Sequence, residues 1–447
     1  MRQPDRRLRA TLAAAAALLA SCMPHRPQPL PAAASDHGGL APLLAVAARY
    51  RTPGLETRRF TQAELWRAVE PALASPALRA EEVGRSLQGR PIRAVTFGGG
   101  PTTVLLWSQM HGDEPTATMA LADVLAYFAG RGDADAQPRE RIAAALTVVM
   151  VPMLNPDGAE LHQRENAAGV DINRDARRLA TPEARALKAL RERLRPAFGF
   201  NLHDQGARTL AGPGGQQVAV ALLAPPTDAG GAYDETRQRA RLVAAHVARV
   251  LAPELRGRVA KYEDDFNPRA FGDLMQHWGT STVLIESGAL TGDPEKQRLR
   301  ALNAAAILSA LDAIATGAYR EEASAPYDDL PFNARIPYDL VVRGATLVIG
   351  GDSTPPVPLD LALSYDDAVA RTGPRLREAG DLSDVAALDT LDAAGLFIHP
   401  DPAMTARGAT GFPALRIGAP VALTLRRGRE PRSEVVRRID GGGGGGR

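Results

Sequence analysis

Four short polar segments follow apolar runs in this 447-residue chain: HGDE (111–114) after TTVLLWSQM, NPDG (155–158) after LTVVMVPML, HDQG (203–206) after FGFNL, and ESG (286–288) after STVLI. HGDE sets His111 and Glu114 three residues apart, nearly one helical turn, so both side chains can converge from a single strand-to-helix turn. Two histidines and a glutamate are an established ligand set for hydrolytic zinc, where three protein ligands leave a fourth position for water. His203, at another strand end, is the natural third ligand. Spacing alone leaves two readings open, a metal site or a polar turn, because His-x-x-Glu recurs by chance. Glu286 raises the same question, since a carboxylate directly after TVLI is costly to bury unless it is paired.

The other histidines lie elsewhere. His25 and His37 fall in a Pro- and Ala-rich stretch, His246 in a helical pattern and His399 far downstream, while His162 and His277 sit near the motifs without an acidic residue at ligand spacing.

The elements that must hold these groups can be read from periodicity. Strands are expected at 92–97, 102–107, 146–154, 198–203, 218–224 and 281–286, and helices at about 116–130, 182–195, 234–252 and 294–316. The strands are continuous Val/Ile/Leu runs, which implies cover on both faces. The fold class is therefore α/β, with a mixed, mostly parallel sheet flanked by helices. In such sheets ligands bind outside the strand C-termini, where all four polar segments stand.

Taken in order, HGDE, NPDG, RENAAGVDINRDA (164–176), FNLHD (200–204) and LIESG (284–288) resemble the zinc metallocarboxypeptidase family of the carboxypeptidase A type. The run from Arg164 to Arg174 is most similar to bacterial members of the murein tripeptide amidase kind. The resemblance spans roughly residues 60–320. It implies one zinc ion on His111, Glu114 and His203, with Glu286 as the general base toward a zinc-bound water. It further implies that Arg164 polarises the scissile carbonyl and that Asn173 and Arg174 hold the substrate's terminal carboxylate. Tyr262 is the nearest upstream option for the mobile tyrosine of the family, and Arg269 in the same segment is a second candidate substrate contact. The digestive enzymes have Ser-Tyr after the last ligand, where this chain has Asp204-Gln205, so the specificity pocket differs.

The activity implied is hydrolysis of a peptide or amide bond next to a free carboxylate, with a peptide or muropeptide as substrate. Two rivals share features of the site. A zinc deacylase of the aspartoacylase or succinylglutamate desuccinylase type has the same ligand set, and an inactive lipoprotein could use the site only to capture a peptide.

The chain opens with Arg2, Arg6, Arg7 and Arg9, then TLAAAAALLASC, the layout of a secretory signal. Leu19 to Cys22 resemble a bacterial lipobox, which implies a signal peptide over 1–21, lipidation of Cys22 and a membrane anchor. Met23 after the cysteine is similar to lipoproteins of the outer membrane, so the expected location is the cell envelope, on the periplasmic face of that membrane. Residues 22–59 read as a tether with a short helix near 43–50. No later segment is expected to span a bilayer. A net charge of +2, from 53 basic and 51 acidic residues, gives no sustained basic face and argues against nucleic acid as a partner. It implies no particular oligomeric state.

After Tyr319 a Pro- and Asp-containing joint leads into short β-like pieces, expected to form a small β-rich module over 336–435. These pieces resemble the β-sandwich that flanks the barrel of amidohydrolases. The His-x-His motif and barrel are missing, so the module is expected to be non-catalytic. Residues 436–447, ending in six glycines and an arginine, are expected to be a disordered tail.

Overall fold

The computed structural model describes residues 39–350, 354–407 and 411–441. Cys22, the expected signal segment and the stretch 442–447 lie outside the described residues.

The first nine strands are β1 (Leu78–Arg85), β2 (Pro91–Gly98), β3 (Thr102–Ser108), β4 (Leu146–Val151), β5 (Phe198–Asp204), β6 (Thr209–Ala211), β7 (Val220–Leu223), β8 (Val259–Lys261) and β9 (Ser281–Ser287). All but β6 form one sheet in the order β1-β2-β4-β3-β5-β9-β7-β8. The β4/β3, β3/β5, β5/β9 and β7/β8 pairs are parallel and the rest antiparallel, so the sheet is mixed, as its apolar runs implied.

Helices cover both faces: α1 (Leu40–Arg49), α2 (Gln62–Leu73), α3 (Thr116–Ala129), α4 (Ala136–Ala145), α5 (Pro156–Leu161), α6 (Pro182–Leu194), α7 (Glu235–Leu251), α8 (Phe271–His277) and α9 (Gln297–Thr316). The larger apolar core gathers α1, α2, α3, α7 and α9 around Val104, Leu106, Phe200 and Ile285. Trp107, Leu105, Leu187 and Phe271 fill the opposite face. β4 stops at Val151, and residues 152–154 continue as loop, so the expected strand over 146–154 is shortened.

Two other expectations are corrected. Residues 40–59 are not tether: Leu40, Ala47 and Leu55 are buried in the core beside α9. Ala and Pro recur here as in the stretch before, which is why composition concealed the boundary. Helix α9 does have the length and hydropathy of a bilayer span, yet 78% of its apolar window is buried inside the body. Buried Arg300 on α9 ties this region together, donating to Asp123 on α3 and to the carbonyls of Thr52 and Leu55.

The downstream region is β-rich. β10 (Asn333–Arg335) pairs with β6, and β11 (Tyr338–Leu347), β12 (Val357–Asp367), β13 (Thr372–Gly380), β14 (Ala387–Asp392) and β15 (Phe397–Pro400) follow. β16 (Thr405–Arg407) pairs with β17 (Pro413–Leu415), and β18 (Leu423–Arg426) with β19 (Val435–Ile439). Seven of these strands form a second sheet over a core of Val342, Leu361, Leu376, Ile398 and Leu425. Ile439 is buried in it, so residues 436–439 belong to the module and not to the tail. Arg58 pairs with Asp367, and Arg208 with buried Asp339 at 2.9 Å, fastening the module to the α/β body.

Candidate active site

The turn after β3 is shaped by backbone packing. Gln109 adopts a left-handed conformation (φ 49°), and its side chain donates to the Gly112 carbonyl at 2.9 Å, closing the turn that aims His111 and Glu114 inward. A Cβ on Gly112 would lie 2.0 Å from the carbonyl carbon of Gly158, and one on Gly158 would lie 2.6 Å from the Glu165 carbonyl oxygen. The glycines of HGDE and NPDG thus let two loops press backbone to backbone.

NPDG is architectural. The Asn155 side chain accepts from Gly158 N at the start of α5 and donates to the Arg164 carbonyl. Buried Asp157 accepts from Ser86, from Gln88 N and from Arg90. The next loop turns on buried Asn166, whose Oδ1 accepts from the backbone N–H of Ala168 and Val170, and so swings Arg164, Asp171, Asn173 and Arg174 toward the strand ends.

His111 Nδ1 lies 2.7 Å from one Glu114 oxygen, and His203 Nδ1 lies 2.7 Å from the other. The two Nδ1 atoms are 3.1 Å apart, and all three side chains are buried. Among the described residues these form a compact group that could hold a metal ion.

The donor chemistry fits zinc. His111 Nε2 lies 3.0 Å from Asp171 Oδ1, which places a ring proton on that side and leaves the Nδ1 lone pair facing Glu114 and His203. Two ring nitrogens and a carboxylate then converge on one point, where a divalent cation relieves the repulsion between lone pairs.

The protein charges alone show the same convergence. Burial opposes protonation of His111, yet Glu114 and Asp171 outweigh it and raise the ring to about 9. Burial lowers the His203 ring. Burial works against the Glu114 carboxylate too, but the two histidines hold it below the ordinary range.

Glu286 neighbours His203 directly in the β5/β9 register. Burial first, and then the charge of Glu114, raises its carboxyl well above the usual range. Its carboxylate makes no hydrogen bond among the described residues. Arg164 NH1 reaches Glu114 at 3.2 Å and its NH2 reaches Asp171 at 3.0 Å, so the guanidinium rests against the ligand group. Asn173 Oδ1 accepts from Phe271 N at 2.8 Å, and its Nδ2 makes no hydrogen bond among the described residues. Among the described residues, exposed Arg174 donates only to the Asn173 carbonyl.

His111, Glu114, Arg164, Asn173, Arg174, His203, Tyr262, Arg269 and Glu286 all line one cavity of about 1020 Å³. Every site residue expected from the sequence within the described part is therefore brought together. Half-buried Tyr262 packs on Ala211, Val218, Ala221 and Ala260, and burial followed by the charge of Glu286 raises its phenol to about 12. Asp113 is exposed in the turn.

Two supporting groups escaped the sequence reading. One is Asp171, whose only signal was its place in the RENAAGVDINRD run. The other is a buried trio behind the ligands: Asp204 Oδ2 accepts from Thr116 at 2.6 Å and from Lys296 at 2.9 Å, while Asp204 N donates to Glu114 Oε2. Lys296 comes from the start of α9, a position no local pattern links to β5.

The other described histidines are placed apart from the metal group. His246 faces Ser309 and Glu322, His277 lies 2.9 Å from the Thr227 carbonyl, and His162 ends α5.

Comparison with known proteins finds similarity over part of the chain. Residues 71–212 match the zinc carboxypeptidase family model, a span that holds His111, Glu114, Arg164, Asn173, Arg174 and His203 and stops before Glu286. Carboxypeptidase 2 of Trichophyton tonsurans is 29% identical over 110 residues, 24% of this chain and 20% of that protein. Carboxypeptidase SOL1 of Arabidopsis thaliana is 28% identical over 134 residues, 28% of this chain and 27% of that protein. This chain thus spans only about a quarter or less of the curated relatives it matches. A metallo-carboxypeptidase from Burkholderia cenocepacia superposes with a TM-score of 0.47 at 19% identity, over 59% of this chain and 71% of that one. The Pseudomonas aeruginosa metallo-carboxypeptidase, solved with (2-guanidinoethylmercapto)succinic acid, gives 0.46 at 20% identity, over 58% and 70%. The chain is thus similar to zinc carboxypeptidases over residues 71–212.

Proposed function

We propose that this chain is a zinc-dependent carboxypeptidase that hydrolyses a peptide or amide bond next to a free carboxylate. The observation that carries it is the single cavity in which His111, Glu114 and His203 converge beside Glu286 and face Arg164, Asn173 and Arg174. A zinc ion on that ligand set supplies an acidified water and a positive charge.

The side chains divide the remaining work. Glu286, buried and without a side-chain hydrogen bond among the described residues, accepts the proton that the attacking water loses and returns it to the leaving nitrogen. Its raised affinity for protons suits a carrier. Arg164 brings a guanidinium to the oxyanion that develops on the scissile carbonyl. The Nδ2 of Asn173, without a hydrogen bond among the described residues, and the guanidinium of Arg174, without an ion pair among them, receive the terminal carboxylate, for which the planar arginine fork is well shaped. Tyr262 and Arg269 contact the substrate from the cavity wall. Asp171 orients the His111 ring.

Peptides of the bacterial cell wall are the proposed substrate class, on the strength of the RENAAGVDINRD run and the lipobox-like Leu19 to Cys22. The same leader supports anchoring through Cys22 at the envelope, which metabolic labelling with a fatty acid tests: Cys22→Ser should abolish incorporation. The activity is tested on free dipeptides, muropeptides and N-acyl amino acids in parallel, with and without a chelator. Chelator-sensitive release of a C-terminal residue supports the reading. Turnover confined to acyl amino acids points to a deacylase, and hydrolysis that survives complete zinc removal overturns the mechanism.

A further inference from the structure

The joint between the α/β body and the β module is a wall of the active cavity. β10 pairs antiparallel with β6, with Asn333 opposite Ala211 and Arg335 opposite Thr209. The Ile336 N–H donates to the Arg208 carbonyl, and the Gly212 N–H to that of Phe332, continuing the ladder at both ends. Side chains alternate along a strand, so Asn333 and Arg335 share a face, and both line the cavity.

That face holds unused polar groups. Asn333 Nδ2 donates to Gln205 Oε1 at 2.7 Å, which leaves Asn333 Oδ1 and Gln205 Nε2 buried without partners among the described residues. Gln205 stands two residues after the ligand His203. Arg335 is exposed and its guanidinium makes no hydrogen bond or ion pair among the described residues, whereas neighbouring Arg208 is committed to Asp339. Arg335 is close enough to Tyr262 to oppose the rise of its phenol, which places its charge on the reactive cavity. The acidic lining residues Glu263, Asp265 and Asp273 come from a different segment, after β8.

We propose that Arg335 is a specificity-determining residue that binds a second carboxylate of the substrate, apart from the terminal one. This rests on the peptidase reading and narrows its substrate to peptides with an additional acidic group, whether a side chain or a free backbone carboxyl. The Asn333–Gln205 pair, with an acceptor and a donor to spare, would take the adjoining amide. The linker thereby makes the β module part of substrate selection, because the strand carrying Arg335 pairs with β6 and runs within three residues into β11 of the module.

The test uses the full zinc-loaded chain and short peptides that differ only in carrying Glu, Gln or Lys at the residue before the C-terminal one or at the C-terminal residue itself. The unaltered protein should favour Glu over Gln at one of these positions. Arg335→Ala should reduce that kcat/KM ratio about tenfold, the scale of one charge-assisted hydrogen bond, and Arg335→Glu should invert it toward Lys. Calorimetric binding of the same peptides in a Glu286→Gln background reads the preference without turnover. A Glu-to-Gln ratio unaltered in both Arg335 variants overturns the proposal even if hydrolysis is robust. Absence of metal-dependent hydrolysis on every peptide would count against the peptidase reading instead, and the binding ratio would still decide the role of Arg335.

Discussion

Two buried histidine–carboxylate groups in this protein use similar side chains to different ends. At the strand ends, His111, Glu114 and His203 turn ring nitrogens and carboxylate oxygens toward one point. Behind the sheet, His246 on α7 lies 2.7 Å from Ser309 on α9 and 3.3 Å from Glu322, which also takes Arg249. All three rings are buried. In the second group His246 joins α7 to Ser309 on α9 and to Glu322 in the loop beyond α9, and the carboxylate is balanced by Arg249, so the cluster braces α7 against α9 and that loop. In the first, the atoms face each other beside a cavity and beside Glu286. Convergence on shared space, more than burial or residue type, separates a metal centre from a brace.

The comparison breaks most visibly at His203. His203→Ala should lower zinc from about one ion per chain to a small fraction and abolish peptide hydrolysis, since two ligands rarely retain the ion. Metal analysis and turnover of the purified protein check this. His246→Ala should leave both zinc content and turnover in place. Loss of zinc in the His246 variant, or its retention in the His203 variant, would reverse the assignment. Glu286→Gln ranks next: it should keep the ion and reduce kcat by about 10²–10⁴-fold, the usual contribution of a general base.

How far the sequence reveals this difference depends on the range of the signals involved. Apolar runs located five of the main strands closely, because a strand buried on both faces must be continuously apolar. The polar residues after them then marked the site, since His111, His203 and Glu286 each sit within a few residues of a strand end. Asp204 and Lys296 were not legible, because their pairing joins residues 92 apart and each alone looks like an ordinary surface charge. Helix α1 was legible as a short helix near 43–50, but the Ala- and Pro-rich stretch before it hid its packing into the core, and β10 was concealed by its brevity, three residues that become a strand only by pairing with β6. The histidines of the two groups were told apart for a local reason: His246 sits in a helical pattern, whereas His111 and His203 do not.

A smaller effect sharpens the role of the support around the ligands. Asp171 touches both His111 and Arg164, and Asp171→Asn keeps the shape while removing the charge that fixes the ring. Zinc affinity, measured by competition with a chelating dye, should fall about 10–100-fold. The melting temperature of the zinc-free variant should stay close to that of the parent, because Asp171 lies in a partly exposed loop. Equal losses in both measurements would make Asp171 a structural residue only.

The smallest predicted effect belongs to the brace and has a sign fixed by Glu322. Burial disfavours its charged form, but His246 and Arg249 outweigh that and lower its carboxyl from 4.5 to about 2 in the folded state. A carboxyl depressed on folding adds stability that is complete above the unfolded value and disappears as pH falls through the folded one. The parent should therefore be more stable than Glu322→Gln by about 1–3 kcal/mol near neutrality, the scale of hydrogen bonds to a charged group. The gap should narrow between about pH 4.5 and pH 2, and thermal melts across that window read it directly. A gap constant with pH would mean that Glu322 acts through packing alone, and that His246 and Arg249 are braced by something other than its charge.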